Sequence, residues 1–170
     1  MSFMRCRHAL TLLSATAIGL TMGLSALSPA QAEQPTMNNI SGPELVALMQ
    51  GWGYRAELGV DDYDDPMISS SAAGVPFDVI FYDCNQAEPK RCESLMISTG
   101  FDFEGTVELS VANDWNLNNR FGRAYIDEEG DPIIELDYEM LGGVTPANIE
   151  QTFKYWEASL GDFSEKIGWR

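Results

Sequence analysis

The chain has 170 residues, 26 of them acidic and 10 basic, for a formal net charge of −16. That length accommodates one ordinary domain and an additional segment. A surface so acidic repels phosphate backbones and anionic lipid heads, which proteins bind through Lys and Arg. Nucleic-acid binding is therefore excluded, and without its N-terminal segment the chain is expected to make no stable membrane association, whereas a basic partner suits the charge.

The N-terminal segment reads as an export signal. Arg5 and Arg7 make a basic start, an apolar run follows from Ala9 to Leu27, and Ala30-Gln31-Ala32 supplies the small residues of a cleavage site after Pro29. An uncleaved anchor is the alternative, because the run is nearly long enough to span a bilayer. No lipobox cysteine ends the run, and Arg5-Cys6-Arg7 is not a twin-arginine pair. Residues 1–32 are thus expected to be a signal peptide, and the mature protein periplasmic or secreted. Cleavage after Ala32 removes the only histidine, His8, and one cysteine, Cys6; with Arg5 and Arg7 gone, eight basic residues face all 26 acidic ones, a net charge of −18.

Residues 33–40 are polar and without periodicity, a flexible lead into a domain expected over 41–165, with 166–170 a short tail. Ser41-Gly42-Pro43-Glu44 is a capping-box start, and Ile40 against Leu45 can staple it. Leu45, Leu48, Met49 and Trp52 then mark one face of a helix that ends at Gly51 and Gly53. Tyr54, Ala56 and Leu58 alternate as a first strand, stopped by Asp61-Asp62-Tyr63-Asp64-Asp65-Pro66. An EF-hand loop needs glycine sixth and glutamate twelfth; neither falls in register, so this is read as an acidic, solvated turn.

Met67 to Ser71 is a short second strand. Val75, Phe77, Val79 and Phe81 alternate in a third that is apolar on both faces and so well covered, and Leu95 and Ile97 lead a further one. Between these last two lie Cys84 and Cys92. A cysteine pair flanking a hairpin in an exported chain reads as a disulfide, worth about 2–3 kcal/mol through loop closure. A redox or metal pair would call for Cys-x-x-Cys spacing or a histidine.

From Phe101 to Asn119 two patterns compete. Phe101, Phe103, Val107, Leu109 and Val111 share one parity, as in a strand; Val107, Val111 and Trp115 also recur at helical spacing, with Thr106 as a cap and Asn118 or Asn119 as a left-handed close. Pattern alone leaves this a draw. Phe121 to Asp127 and Ile133 to Tyr138 then form a hairpin around the acidic turn Glu128-Glu129-Gly130-Asp131. Thr145-Pro146 opens a long final helix whose buried face is Ile149, Phe153, Trp156, Leu160 and Phe163. Trp52 and Trp156 complete apolar stripes and are expected in the core; Trp115 is expected either there or as an exposed contact, and Trp169, near the end, stands outside any stripe.

Asn113-Asp114-Trp115-Asn116, Arg120-Phe121-Gly122-Arg123-Ala124-Tyr125, Gly130-Asp131-Pro132 and Gly142-Gly143-Val144 together resemble the YbjN family, which carries the label of putative bacterial sensory transduction regulator. The likeness continues upstream through Gly53-Tyr54-Arg55-Ala56 and Pro66 to Ala73, and so covers Ser41 to Phe163. It implies an α+β fold like that of type III secretion chaperones: an antiparallel sheet of about five strands in the order α-β-β-β-α-β-β-α. Roughly Thr106 to Asn118 then becomes the middle helix, with Val107, Val111 and Trp115 inward. Such chaperones dimerise and hold extended partner segments in the cytosol. Fold analogy therefore allows a homodimer, while the export signal and disulfide argue against an injection-chaperone role.

The resemblance, together with four tryptophans in the mature chain and an acidic surface, implies a non-enzymatic binding or regulatory module that engages a protein. Candidate binding residues are Asn113, Trp115, Asn116, Arg120 and Arg123. The arginines can form a carboxylate or anion subsite with amides from the two asparagines, or pair with the chain's own acids. Strand alternation puts residues 120 and 123 on opposite faces, so they need not converge. Two other classes remain: a small-ligand or cation sensor of the envelope, and a carboxylate-dependent hydrolase. A mature chain without histidine lacks Ser-His-Asp, Cys-His and histidine-zinc chemistry, and neither a nucleophile elbow nor a phosphate loop is present. The expectation is no enzyme, no cofactor and no metal.

Overall fold

The computed structural model describes residues 35–103 and 105–169, and the expected signal peptide, residues 1–32, lies outside them. In chain order the elements are β1 (Ile40–Ser41), α1 (Gly42–Gly51), β2 (Ala56–Val60), β3 (Pro66–Ala72), β4 (Val75–Cys84), β5 (Arg91–Gly100), α2 (Leu109–Asn118), β6 (Arg123–Ile126), β7 (Pro132–Glu139) and α3 (Pro146–Ile167). The class is α+β, as expected. Two details differ. Four strands rather than three separate α1 from α2, and a two-residue strand precedes α1, so the sheet has seven strands rather than about five.

The sheet is antiparallel throughout, in the order β2-β3-β4-β5-β7-β6, with β1 paired to β5. Register sorts the side chains into two faces. Ala56, Ser70 and Phe77 line up with Thr99, Ile134 and Ala124 in one cross-strand row; Leu58, Ile68, Val79, Ile97 and Leu136 make the next. This is the inner face, and its central members are buried. Because the side-chain period is two, a one-residue slip would turn the whole set to solvent, so burial enforces the register.

All three helices pack on that inner face. On α3 the stripe Ile149, Phe153, Trp156, Leu160 and Phe163 is buried as its spacing predicts, each side chain contributing about 1.5–3 kcal/mol of transfer free energy. Trp156 meets Phe77 edge-on at 5.7 Å; Phe153 meets Trp52, which caps the end of α1, at 5.7 Å; Phe163 meets Trp115 of α2 at 5.1 Å. One aromatic spine on α3 thus fixes the sheet and both shorter helices.

The ends are locked by capping and bridging. Thr145 Oγ1 accepts the Asn148 amide at 3.2 Å, and Gly168, at φ 75°, closes α3 in the left-handed conformation. Ser41 donates through its N–H (2.9 Å) and its Oγ (2.8 Å) to Glu44 Oε2. Arg91 from β5 reaches the same carboxylate at 2.7 Å. Cys84 and Cys92 stand directly opposite one another on β4 and β5 and form the expected disulfide. Met37, in the expected lead, exchanges both backbone hydrogen bonds with Val144, at 2.8 and 2.9 Å.

Both acidic turns close on themselves. Asp61 Oδ1 accepts the amides of Tyr63 and Asp65, each at 2.9 Å, and Asp127 Oδ1 accepts those of Glu129 and Asp131, also at 2.9 Å. These side chains replace backbone partners at the tip of a hairpin. Among the described residues no group of three or more His, Cys, Asp or Glu is arranged to hold a metal ion.

Candidate functional site

The middle helix exists but starts later than Thr106. Glu108 occupies the cap position and the helix runs Leu109–Asn118. Val107 lies outside the helix, its amide donating to Gly130 O at 3.2 Å across to the β6–β7 turn. That contact holds Val107 ahead of the helix, although its spacing to Val111 and Trp115 is helical. Within α2 the inward residues are Ala112 and Trp115; Val107 and Val111 are only half-buried. Asn119 ends the helix in an extended conformation (φ −116°), so the expected left-handed asparagine is not used.

Each candidate residue now has a place. Trp115 is 2 % exposed and its Nε1 donates to Gly122 O at 2.8 Å, so it anchors α2 to the loop before β6. Asn116 does the same for the strand. Its Nδ2 donates to Ala124 O and its Oδ1 accepts the Ala124 amide, both at 2.9 Å. A side-chain carboxamide thereby satisfies the outer edge of β6, which has no neighbouring strand among the described residues, and blunts it against foreign pairing. Asn113 lies on the exposed surface of α2, away from these contacts. The pair of asparagines therefore does not act as one amide donor set.

The arginines part company as alternation predicts, yet both border one cleft. Arg123 pairs with Glu135 and lies over the Tyr125 ring at 5.6 Å. Glu135 is only 6 % exposed and has both oxygens taken, one by Arg123 and one by the Tyr125 hydroxyl at 2.8 Å. Burial first, then the bond to Glu135, pushes the Tyr125 phenol up to about 12. Arg120 instead lies over Phe121 at 5.1 Å, and Phe121 stacks flat on Tyr155 of α3, with ring centroids 4.2 Å apart.

Between these groups is a cleft of about 560 Å³. One wall is Arg120, Phe121 and Gly122; the floor is β7 from Glu135 to Tyr138; the other wall is Asn148, Thr152 and Tyr155 of α3. Gly122, at φ 77°, makes the turn into β6 possible, and a Cβ there would sit 3.0 Å from Ile134 Cδ1. The Tyr138 hydroxyl donates to Asn148 Oδ1, tying floor to wall, and burial raises its phenol to about 12.

The cleft has a consequence for the sheet. β6 covers β7 only at residues 132–135, and Ala124 turns its N–H and C=O outward to Asn116. Alternation in an antiparallel ladder then sends the backbone groups of Glu135 toward β6 and those of Asp137 toward the same edge, where β6 no longer runs. The cleft thus opens beside a stretch of strand edge with main-chain groups to offer. Sequence reasoning found Arg120 and Arg123 but missed Phe121, Tyr138, Asn148 and Tyr155. Tyr155 carries the one available signal, a large side chain off the buried stripe of α3 and 40 % exposed.

A family model described as "YbjN: Putative bacterial sensory transduction regulator" matches residues 44–169. A search of curated proteins finds no match.

Proposed function

The chain belongs to the YbjN family, and from that premise we propose that it is an exported, non-enzymatic regulatory or binding module that engages a protein partner in the periplasm through the cleft beside β7. The observation that carries this reading is the uncovered edge at Asp137, flanked by Arg120 and by the stacked Phe121–Tyr155 pair. An extended segment laid along that edge gains main-chain hydrogen bonds from the strand and side-chain contacts from the cleft walls, a combination that recognises polypeptide. Arg120 supplies a cation for an acidic side chain or a terminal carboxylate of the incoming segment. The buried carboxylate of Glu135 is already committed to Arg123 and Tyr125, so it serves the architecture rather than acid–base chemistry.

A photo-reactive residue placed at Tyr155 in living cells tests the site. One discrete adduct is expected, lost on Arg120→Glu and absent when the probe sits at Leu117, which is 83 % exposed on α2. Equal labelling from both positions would sink the cleft as the contact. N-terminal sequencing of the protein from a periplasmic fraction should begin at Glu33; recovery of intact Met1 there would overturn the export reading.

A further inference from the structure

Among the described residues, no helix packs on the outer face of the sheet. The packed helices all meet the inner rows, and α1 and α2 join α3 on that side through Trp52–Phe153 and Trp115–Phe163. On the uncovered side the register builds a short apolar row, Met67–Ile80–Met96, across three adjacent strands. These side chains are half-buried by their sheet neighbours alone. The rows on either side are polar and acidic. Ser69, Asp78, Ser98 and Glu135 line one side, Tyr82, Ser94 and Glu139 the other, and Asp137 closes the end of the apolar row.

The sign of this face is uncompensated. Arg123 is spent on Glu135 and Arg55 on Glu57 at 2.6 Å, while Asp78 holds only a hydroxyl, Ser69 Oγ at 2.7 Å. The Tyr82 phenol beside the row is raised by burial and then by the charges of Glu135, Asp137 and Asp61, an independent sign of negative potential over the face.

We propose that this open face is a second docking surface, one that takes a cationic amphipathic segment of a partner protein. Its apolar side chains meet Met67, Ile80 and Met96, and its Lys or Arg residues meet Asp78, Asp137 and Glu139. Charge decides the occupant. A second copy of this chain would bring carboxylates onto carboxylates, and an anionic lipid surface would be repelled. Two methionines in a row of three suit the role, because their unbranched, polarisable chains re-pack against segments of different shape. The surface lies across the sheet and adjoins the Arg120–Tyr155 cleft at Glu135 and Asp137 of β7; Asp78 and Met96 line this surface and not the cleft, so substitutions there test it separately.

Fluorescence anisotropy with the full chain tests it. The probe is a short labelled peptide alternating leucine and lysine; the comparators are a scrambled peptide of the same composition and one with glutamate for lysine. The patterned cationic peptide should bind, the glutamate peptide should not, and Asp78→Lys should weaken binding by about tenfold or more. Asp78→Asn and Met96→Thr should each weaken it to a smaller degree, and added salt should weaken it further. Asp78→Asn, nearly isosteric, keeps the test open should the charge reversal disturb folding, which circular dichroism would reveal. Arg120→Glu should leave this binding unchanged. The proposal is overturned if the scrambled peptide binds as tightly, if Asp78→Asn and Met96→Thr are without effect, or if the chain self-associates in a manner abolished by Met96→Thr.

Discussion

Asp64 and Gly130 occupy the same position in two copies of one turn. In each, the first aspartate (Asp61 or Asp127) donates its N–H to the carbonyl four residues on, at 2.9 and 3.0 Å, and accepts through its own carbonyl from the fourth residue, at 3.1 and 3.2 Å. That fourth residue has φ 64° in Asp64 and 94° in Gly130. The turn demands a left-handed residue, and only the second copy has the glycine that adopts it without cost.

Asp64→Gly should therefore stabilise the fold by about 0.5–1 kcal/mol, since the Asp64 carboxylate gives up only a 3.8 Å contact to Lys90. The reciprocal change is expected to be costly. A Cβ on Gly130 would lie 2.9 Å from Thr106 Cγ2, so Gly130→Ala should lose about 1–2 kcal/mol or more. Chemical denaturation of the two variants measures both; equal and opposite shifts would show that backbone conformation alone matters.

Asn116 yields a sharper substitution. Its carboxamide must both donate and accept to satisfy Ala124, and aspartate can only accept once ionised. Asn116→Asp is expected to cost about 1–2 kcal/mol near neutral pH, because Ala124 O loses its donor and faces a carboxylate oxygen. The protonated acid restores the donor. Its folded-state pKa is thus raised, its stabilising effect is present at low pH, and that effect is lost as pH rises through the folded value. Denaturation curves of parent and variant should converge on acidification, whereas Asn116→Ala should show a gap that does not close.

Periodic apolar residues made most of the architecture legible. The stripes on α1 and α3, the alternation in β4, the cysteine hairpin and the buried Trp115 all follow from spacing, because one face of each element has to leave water. Partnerships made between distant segments were not legible. The start of α2 was misplaced because Val107 bonds Gly130, more than a turn away in sequence and across the fold. Asn116 was readable as a polar residue near arginines, but its task is to cap an edge that exists only once β6 has paired. The cleft is legible least of all: its walls come from the loop before β6, from β7 and from α3.

Trp169 illustrates the same limit at the C-terminus, where the expected short tail 166–170 overlaps the end of α3. Beyond Gly168 the chain turns back, and the indole packs on Phe101 at 5.3 Å and Phe103 at 5.5 Å. Those rings belong to the segment after β5, so Trp169 closes the end of the core that its position outside any stripe concealed. Trp169→Ala should lower stability by about 1–3 kcal/mol from lost burial and two aromatic contacts. The emission lost on Trp169→Phe, taken as the difference from the parent spectrum, should be blue-shifted relative to the unfolded chain; a solvent-exposed difference spectrum would contradict this packing.

Glu44 provides the pH dependence that the carboxylates as a group obscure. Arg91 first, and then hydrogen bonds from the Ser41 amide and hydroxyl, hold its pKa below the usual 4.5 against the opposing effect of burial. The folded value being depressed, the associated stability is present above about pH 4.5 and is lost as pH falls through the folded value. Glutamine keeps an oxygen for Ser41 but loses the charge that meets Arg91. Glu44→Gln should therefore be less stable than the parent above pH 4.5, by no more than about 1 kcal/mol because the ion pair is half-exposed. The two proteins should converge below it. Arg91→Gln should show the same pH-dependent change over that range on top of a constant loss, since Arg91 also donates to Asn39 Oδ1 at 2.6 Å and Asn39 O at 3.2 Å, and the double variant should add little to Arg91→Gln alone.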